Sequence, residues 1–113
     1  MLLQTPTPDV SQLEANLCYA FVDPTRILIL YALNGRPHNV TELTHHLNAT
    51  QPKISRHLKV LRDLELVHGT RQGATITYEL TDNRLIEALD ILRCVLRDNI
   101  AEKVNLVAAL EIK

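Results

Sequence analysis

At 113 residues, 46% apolar and 22% charged, the chain has the size and composition of one ordinary globular domain. It has no apolar run near the ~18 residues of a membrane span, and its start, MLLQTPTPDV, has neither a basic n-region nor a sustained apolar stretch, so no secretory signal is expected and the expected compartment is the cytoplasm. Two cysteines, Cys18 and Cys94, are too few for a disulfide framework.

The net charge of −1 is unevenly spread. Residues 1–35 carry −2, residues 76–113 carry −2, and residues 36–75 set six bases against three acids for +3. All five histidines, 38, 45, 46, 57 and 68, fall in that middle part. A basic centre between acidic flanks points to a polyanion partner.

Residues 1–8, with two prolines, read as a flexible arm ahead of a single domain over 9–113. Asp9 with Gln12 reads as a capping box for a first helix whose Val10, Leu13, Leu17 and Phe21 share one face and which stops near Val22. Asp23 then caps a second helix with Pro24 at its first position, ended by Asn34-Gly35. Arg26 stands three residues after the Asp23 cap, which suggests a structural salt bridge. Asn39 with Glu42 caps a short third helix, VTELTHHL; Asn48-Ala49 makes a turn; Thr50 caps a fourth helix with Pro52 in its first turn. Past Leu64 the period changes. LVHGTRQGATITYEL is two β-rich runs around Gln72-Gly73, a hairpin. Asp82 caps a last helix striped by Leu85, Leu89, Leu92 and Leu96, which either continues through Asn99 or breaks there.

The expected fold is therefore mainly α with a small β-hairpin, in the order α-α-α-α-β-β-α. A short helix, a tight turn and a capped second helix form a helix-turn-helix over about 40–65, the hairpin over about 66–80 makes it winged, and the C-terminal helix starts at about 82. In such a unit the second helix enters the DNA major groove. Ile54, Leu58 and Leu61 at i, i+4, i+7 turn inward, which puts Gln51, Lys53, Ser55, Arg56 and Lys59 outward. Arg71, Gln72 and Thr75 at the hairpin tip come within reach of the adjacent backbone or minor groove. Lys53, Arg56, Lys59 and Arg71 suit phosphates; Gln51 and Ser55 suit bases. His57 lies between the inward Ile54 and Leu58, so it is either a DNA contact or a hydrogen-bonded interior imidazole.

Three blocks, FVDPTRILILYAL, VTELTHHLNATQPKISRHLKVLRDLELV and GTRQGATITYEL, resemble the ArsR/SmtB-type winged helix-turn-helix repressors from about Phe21 to Leu80. The resemblance implies a homodimer joined through the first and last helices, a palindromic operator in double-stranded DNA, and release by a metal, metalloid, thiol oxidant or other signal. It implies operator reading by Gln51, Lys53, Ser55, His57 and Lys59, with Arg71 on the wing. The family's sensor patterns are not intact. Asn39, Val40 and Thr41 stand where an arsenical site has Cys-x-Cys, Arg84 and Val95 replace two histidines of a zinc site, and Tyr31 stands at or beside one cysteine of a persulfide pair. The wing tip is Gly73-Ala74 where many members carry Gly-Arg.

Cys18 and Cys94 are the candidate thiol sensors; the plainer reading makes Cys18 a small core residue and Cys94 incidental. Glu42 and His46 share a helical face and could hold a metal, or belong to a solvated polar helix. No cofactor is required. Enzyme motifs are missing: there is no Gly-rich phosphate loop, Gly-x-Ser-x-Gly or His-Glu-x-x-His. Two other functions fit the residues, a winged-helix interaction module without specific DNA binding and a regulator that needs no ligand.

Overall fold

The structure is a computed structural model that describes residues 4–111. Among them, five α-helices and three strands follow in the order α1 (Pro8–Cys18), a single 3₁₀ turn (Tyr19–Phe21), α2 (Pro24–Gly35), β1 (His38–Asn39), α3 (Val40–Leu47), α4 (Gln51–Asp63), β2 (Val67–Gln72), β3 (Thr75–Leu80) and α5 (Arg84–Glu111). The chain forms two compact units, one through Thr81 and one from Asp82 onward.

Local chemistry sets most boundaries in the first unit. α1 begins earlier than the Asp9–Gln12 pattern suggests. Thr7 is its cap, with Oγ1 accepting from the Val10 amide at 3.3 Å, and Pro8 occupies the first turn, where its missing N–H costs nothing. Residues 1–3 of the expected arm lie outside the described residues. Asp23 caps α2 through the Thr25 amide at 2.7 Å. Asn39 and Glu42 form the expected capping box on α3. Asn48, in the left-handed region at φ +51, then reverses the chain, a conformation asparagine tolerates better than most residues. Thr50 starts α4 by accepting from Lys53 N at 3.4 Å.

α4 ends in a Schellman motif. Leu66 N donates to the Leu61 carbonyl and Glu65 N to the Arg62 carbonyl, each at 2.9 Å. The left-handed residue this motif needs, usually glycine, is Glu65 at φ +62.

β2 and β3 pair from Val67↔Leu80 to Gln72↔Thr75, so the loop is Gly73-Ala74, one residue later than expected, and Gln72 belongs to the strand. Gly73 at φ +65, followed by a residue of negative φ, is the glycine-first two-residue turn that matches strand twist. β1 was not foreseen. It pairs antiparallel with β3 (His38↔Tyr78, Asn39↔Thr77), giving the sheet order β1-β3-β2. The core of this unit joins Ile29, Leu30 and Leu33 of α2, Leu43 of α3, Ile54, Leu58 and Leu61 of α4, and Val67 and Tyr78 of the sheet, all buried. Burying side chains of this size contributes roughly 1.5–3 kcal/mol each.

The second unit is α5, a single 28-residue helix that runs through Asn99 without a break. Asp82 opens it, accepting from the Arg84 amide at 2.9 Å and pairing with its guanidinium. Ile86 and Leu89 are buried, whereas Leu92, Val95, Leu96, Ile100, Val104 and Val107 are exposed. Among the described residues no helix is long and apolar enough to cross a membrane.

Candidate nucleic-acid interface

α4 has two unlike faces. Ile54, Leu58 and Leu61 are all but fully buried. Gln51, Lys53, Ser55, Arg56 and Lys59 are exposed, as is Arg62. Burial of one stripe fixes the rotation of the helix, so the polar side chains hold their outward positions because the leucines hold theirs. Lys59 Nζ sits 2.9 Å from Asp63 Oδ2, an exposed pair of little energetic weight that a phosphate can displace. Lys53 and Arg56 make no ion pair among the described residues.

The wing brings further polar groups to the same side of the unit. A cleft of about 230 Å³ lined by Asn39, Val40, Thr41, Gln51, Ala74, Thr75, Ile76 and Tyr78 lies between the start of α4 and the hairpin, so Gln51 and Thr75 share it. Arg71, Gln72 and Thr75 are exposed. Gln72 Oε1 accepts from Thr77 Oγ1 and its carbonyl from Thr75 Oγ1, both at 3.1 Å, which stiffens the tip.

His57 departs from its neighbours. Its side chain is only 12% exposed, with Nε2 3.7 Å from Asp23 Oδ1. Nδ1 lies 3.1 Å from Arg26 Nη1. Of the two sequence alternatives, this geometry supports the interior imidazole. Burial holds the His57 pKa below 6.5; Asp23 opposes that shift, while Arg26, Lys53 and Arg56 reinforce it.

Arg26 differs from expectation too. It makes no short pair with Asp23, whose Oδ1 is taken up by the Thr25 amide, a bond that lowers the Asp23 pKa. The Arg26 side chain is instead buried and donates from Nε to the Ala20 carbonyl and from Nη2 to the Tyr19 carbonyl, each at 3.0 Å. Its guanidinium also lies 5.1 Å from the Tyr19 ring centroid. The sequence carried no sign of this cluster, because Arg26 and His57 are 31 residues apart.

Both cysteines are free and exposed, so Cys18 is not a core residue. Among the described residues no three His, Cys, Asp or Glu side chains gather where they could hold a metal. Glu42 is committed elsewhere, to the Asn39 amide at 2.9 Å and to Arg36 at 3.1 Å. His38 is buried and its Nδ1 donates to the Arg36 carbonyl at 2.7 Å, with its ring 5.8 Å from that of His46.

Residues 23–68 match the sequence model described as bacterial regulatory protein, arsR family. The chain is 38% identical over 76 residues to the HTH-type transcriptional regulator NmtR of Mycobacterium tuberculosis, covering 67% of this chain and 63% of NmtR, just under two thirds of that relative. It is 33% identical over 75 residues to the transcriptional repressor SdpR of Bacillus subtilis, covering 66% of this chain and 83% of SdpR. Among solved structures, Rv0081 of M. tuberculosis superposes with a TM-score of 0.76 at 28% identity, covering 88% of this chain and 99% of that one.

Proposed function

The chain belongs to the arsR family of bacterial regulatory proteins, and from that premise we propose that it is a homodimeric, sequence-specific DNA-binding regulator of the cytoplasm, a repressor and not an enzyme, that reads duplex DNA through α4 and the wing. The observation that carries this reading is the division of α4 into a buried Ile54–Leu58–Leu61 stripe and an exposed Gln51, Lys53, Ser55, Arg56 and Lys59 face. Lys53, Arg56, Lys59 and Arg71 hold phosphates, which gives affinity without sequence information. Gln51 and Ser55 read base edges, glutamine pairing with adenine through both amide atoms. Gln72 and Thr75 support the wing against the backbone. His57, turned onto Arg26, is left out of the reading set.

Dimerisation is supported by apolar surface that single copies leave in water. α1 has no buried residue and exposes Val10 and Leu13, and α5 exposes a row from Leu92 to Val107. Surfaces of this kind mark protein contacts. The name of SdpR supports repression. Release by a metal, metalloid or thiol oxidant remains part of the proposal, with the exposed Cys18 and Cys94 as the groups such a reagent would meet first.

The test is fluorescence anisotropy with labelled duplex from the protein's own promoter against a scrambled duplex. Wild type discriminates between them and Gln51→Ala loses about tenfold of that discrimination, the equivalent of one lost bidentate base contact. Equal binding of the two duplexes by wild type would overturn the proposal in favour of an interaction module.

A further inference from the structure

A guanidinium has no acceptor, so the Arg26–His57 contact has one sense: Arg26 Nη1 donates and His57 Nδ1 accepts. Nδ1 therefore carries no proton, and the imidazole proton lies on Nε2, toward Asp23. Arg26 itself is anchored, with Nε and Nη2 on the carbonyls of Ala20 and Tyr19, in the turn that separates α1 from α2. One chain of contacts thus runs from that turn through α2 into the middle of α4, between the buried Ile54 and Leu58. Resting on the reading of α4 as the DNA-reading helix, we propose that Arg26 and His57 are positioning residues for DNA recognition: Arg26, fixed on the Tyr19 and Ala20 carbonyls, holds α4 in its reading orientation through an unprotonated His57.

Protonation breaks the arrangement at one atom. A proton on Nδ1 sets N–H against N–H and cation against cation across 3.1 Å. The charged groups that act on the ring are Asp23 and Arg26 from α2 and its cap, and, from the outward face of α4, Lys53 and Arg56, three cations to one carboxylate. Burial adds to the resistance, so the ring stays neutral below its ordinary value of 6.5. The sign follows from linkage. The free ring binds a proton more readily than the docked one, so the docked arrangement is complete above 6.5 and weakens as pH falls from there toward the lowered native value. The ejected imidazolium would add a positive charge near the phosphates while the base-reading side chains lose their register. Acid should therefore lower discrimination more than overall affinity.

The experiment measures the ratio of affinities for promoter and scrambled duplex between about pH 7.5 and 5.5, in wild type and in His57→Gln. Glutamine keeps an oxygen for Arg26 and does not titrate in this interval. Wild type should lose threefold to tenfold in the ratio, and His57→Gln should stay level. An equal loss in both proteins, or a level wild type, overturns the proposal. In parallel, imidazole ¹⁵N shifts of the free protein at neutral pH should show Nδ1 bare and Nε2 protonated; the opposite tautomer overturns it without reference to DNA. If the tautomer is as expected but wild type does not discriminate at any pH, the reading of α4 as a DNA-reading helix fails, and the positioning role fails with it.

Discussion

Gly69 of β2 lies directly opposite Tyr78 of β3, and the tyrosine ring covers the place where a side chain would stand. A Cβ on Gly69 would fall 2.7 Å from Ile76 Cγ2 and 3.1 Å from Tyr78 Cε1. Ile76 is β-branched and cannot swing its methyl aside freely, and Tyr78 is buried in the core. Gly69→Ala should therefore destabilise the unit by about 1–3 kcal/mol through overpacking. Thermal melting reads the change, and an unaltered midpoint would show that the sheet has slack at this rung.

Glu65 supports the opposite expectation. It is exposed and holds the left-handed C′ position of the Schellman motif at φ +62. A side chain there costs roughly 1–2 kcal/mol, from which the greater flexibility of an unfolded glycine takes back part. Glu65→Gly should raise stability by about 0.5–1 kcal/mol, measured by urea unfolding. A lower midpoint would mean that the glutamate makes a contribution the backbone geometry does not reveal.

Lys53 stands in the first turn of α4, exposed and without an ion pair among the described residues. Lys53→Ala should weaken binding to promoter and scrambled duplex alike and reduce the slope of log K against log salt by about one. A selective loss on the promoter duplex would move Lys53 from phosphate holding to base reading.

Asp82 gives a pH expectation in the second unit. The Arg84 guanidinium, then the Arg84 amide, hold its carboxyl down from 3.8 to about 2. Because the folded value is the lower one, the stabilisation is complete above 3.8 and disappears as pH falls toward about 2. NMR titration of the Asp82 carboxyl carbon should show this low midpoint, rising in Arg84→Ala. A midpoint of 3.8 in wild type would mean the ion pair does not persist in water.

The helix starts were legible because caps are chemistry within three residues. Asp23, Asn39 and Thr50 each bond the amides expected of them. At α1 the Asp9–Gln12 pattern put the start too late: Thr7 is the cap, and Pro8, lacking a donor of its own, sits in the first turn. β1 was not legible, since two residues show no period and its partner strand lies some forty positions downstream. The outward face of α4 could be read from its apolar spacing. The inward turn of His57 could not, because it depends on a guanidinium delivered by another helix.

The sheet order β1-β3-β2 places β3 in the interior and leaves two rims. One rim is β1, only two residues long, so an incoming strand from another molecule would find no more than a rung or two of backbone to join. The other is β2, which carries Arg71 and the exposed His68, paired with Glu79 of β3. Abbreviation protects one rim and polar side chains the other. A hairpin edged in this way offers a second copy of the chain little backbone on which to extend the sheet.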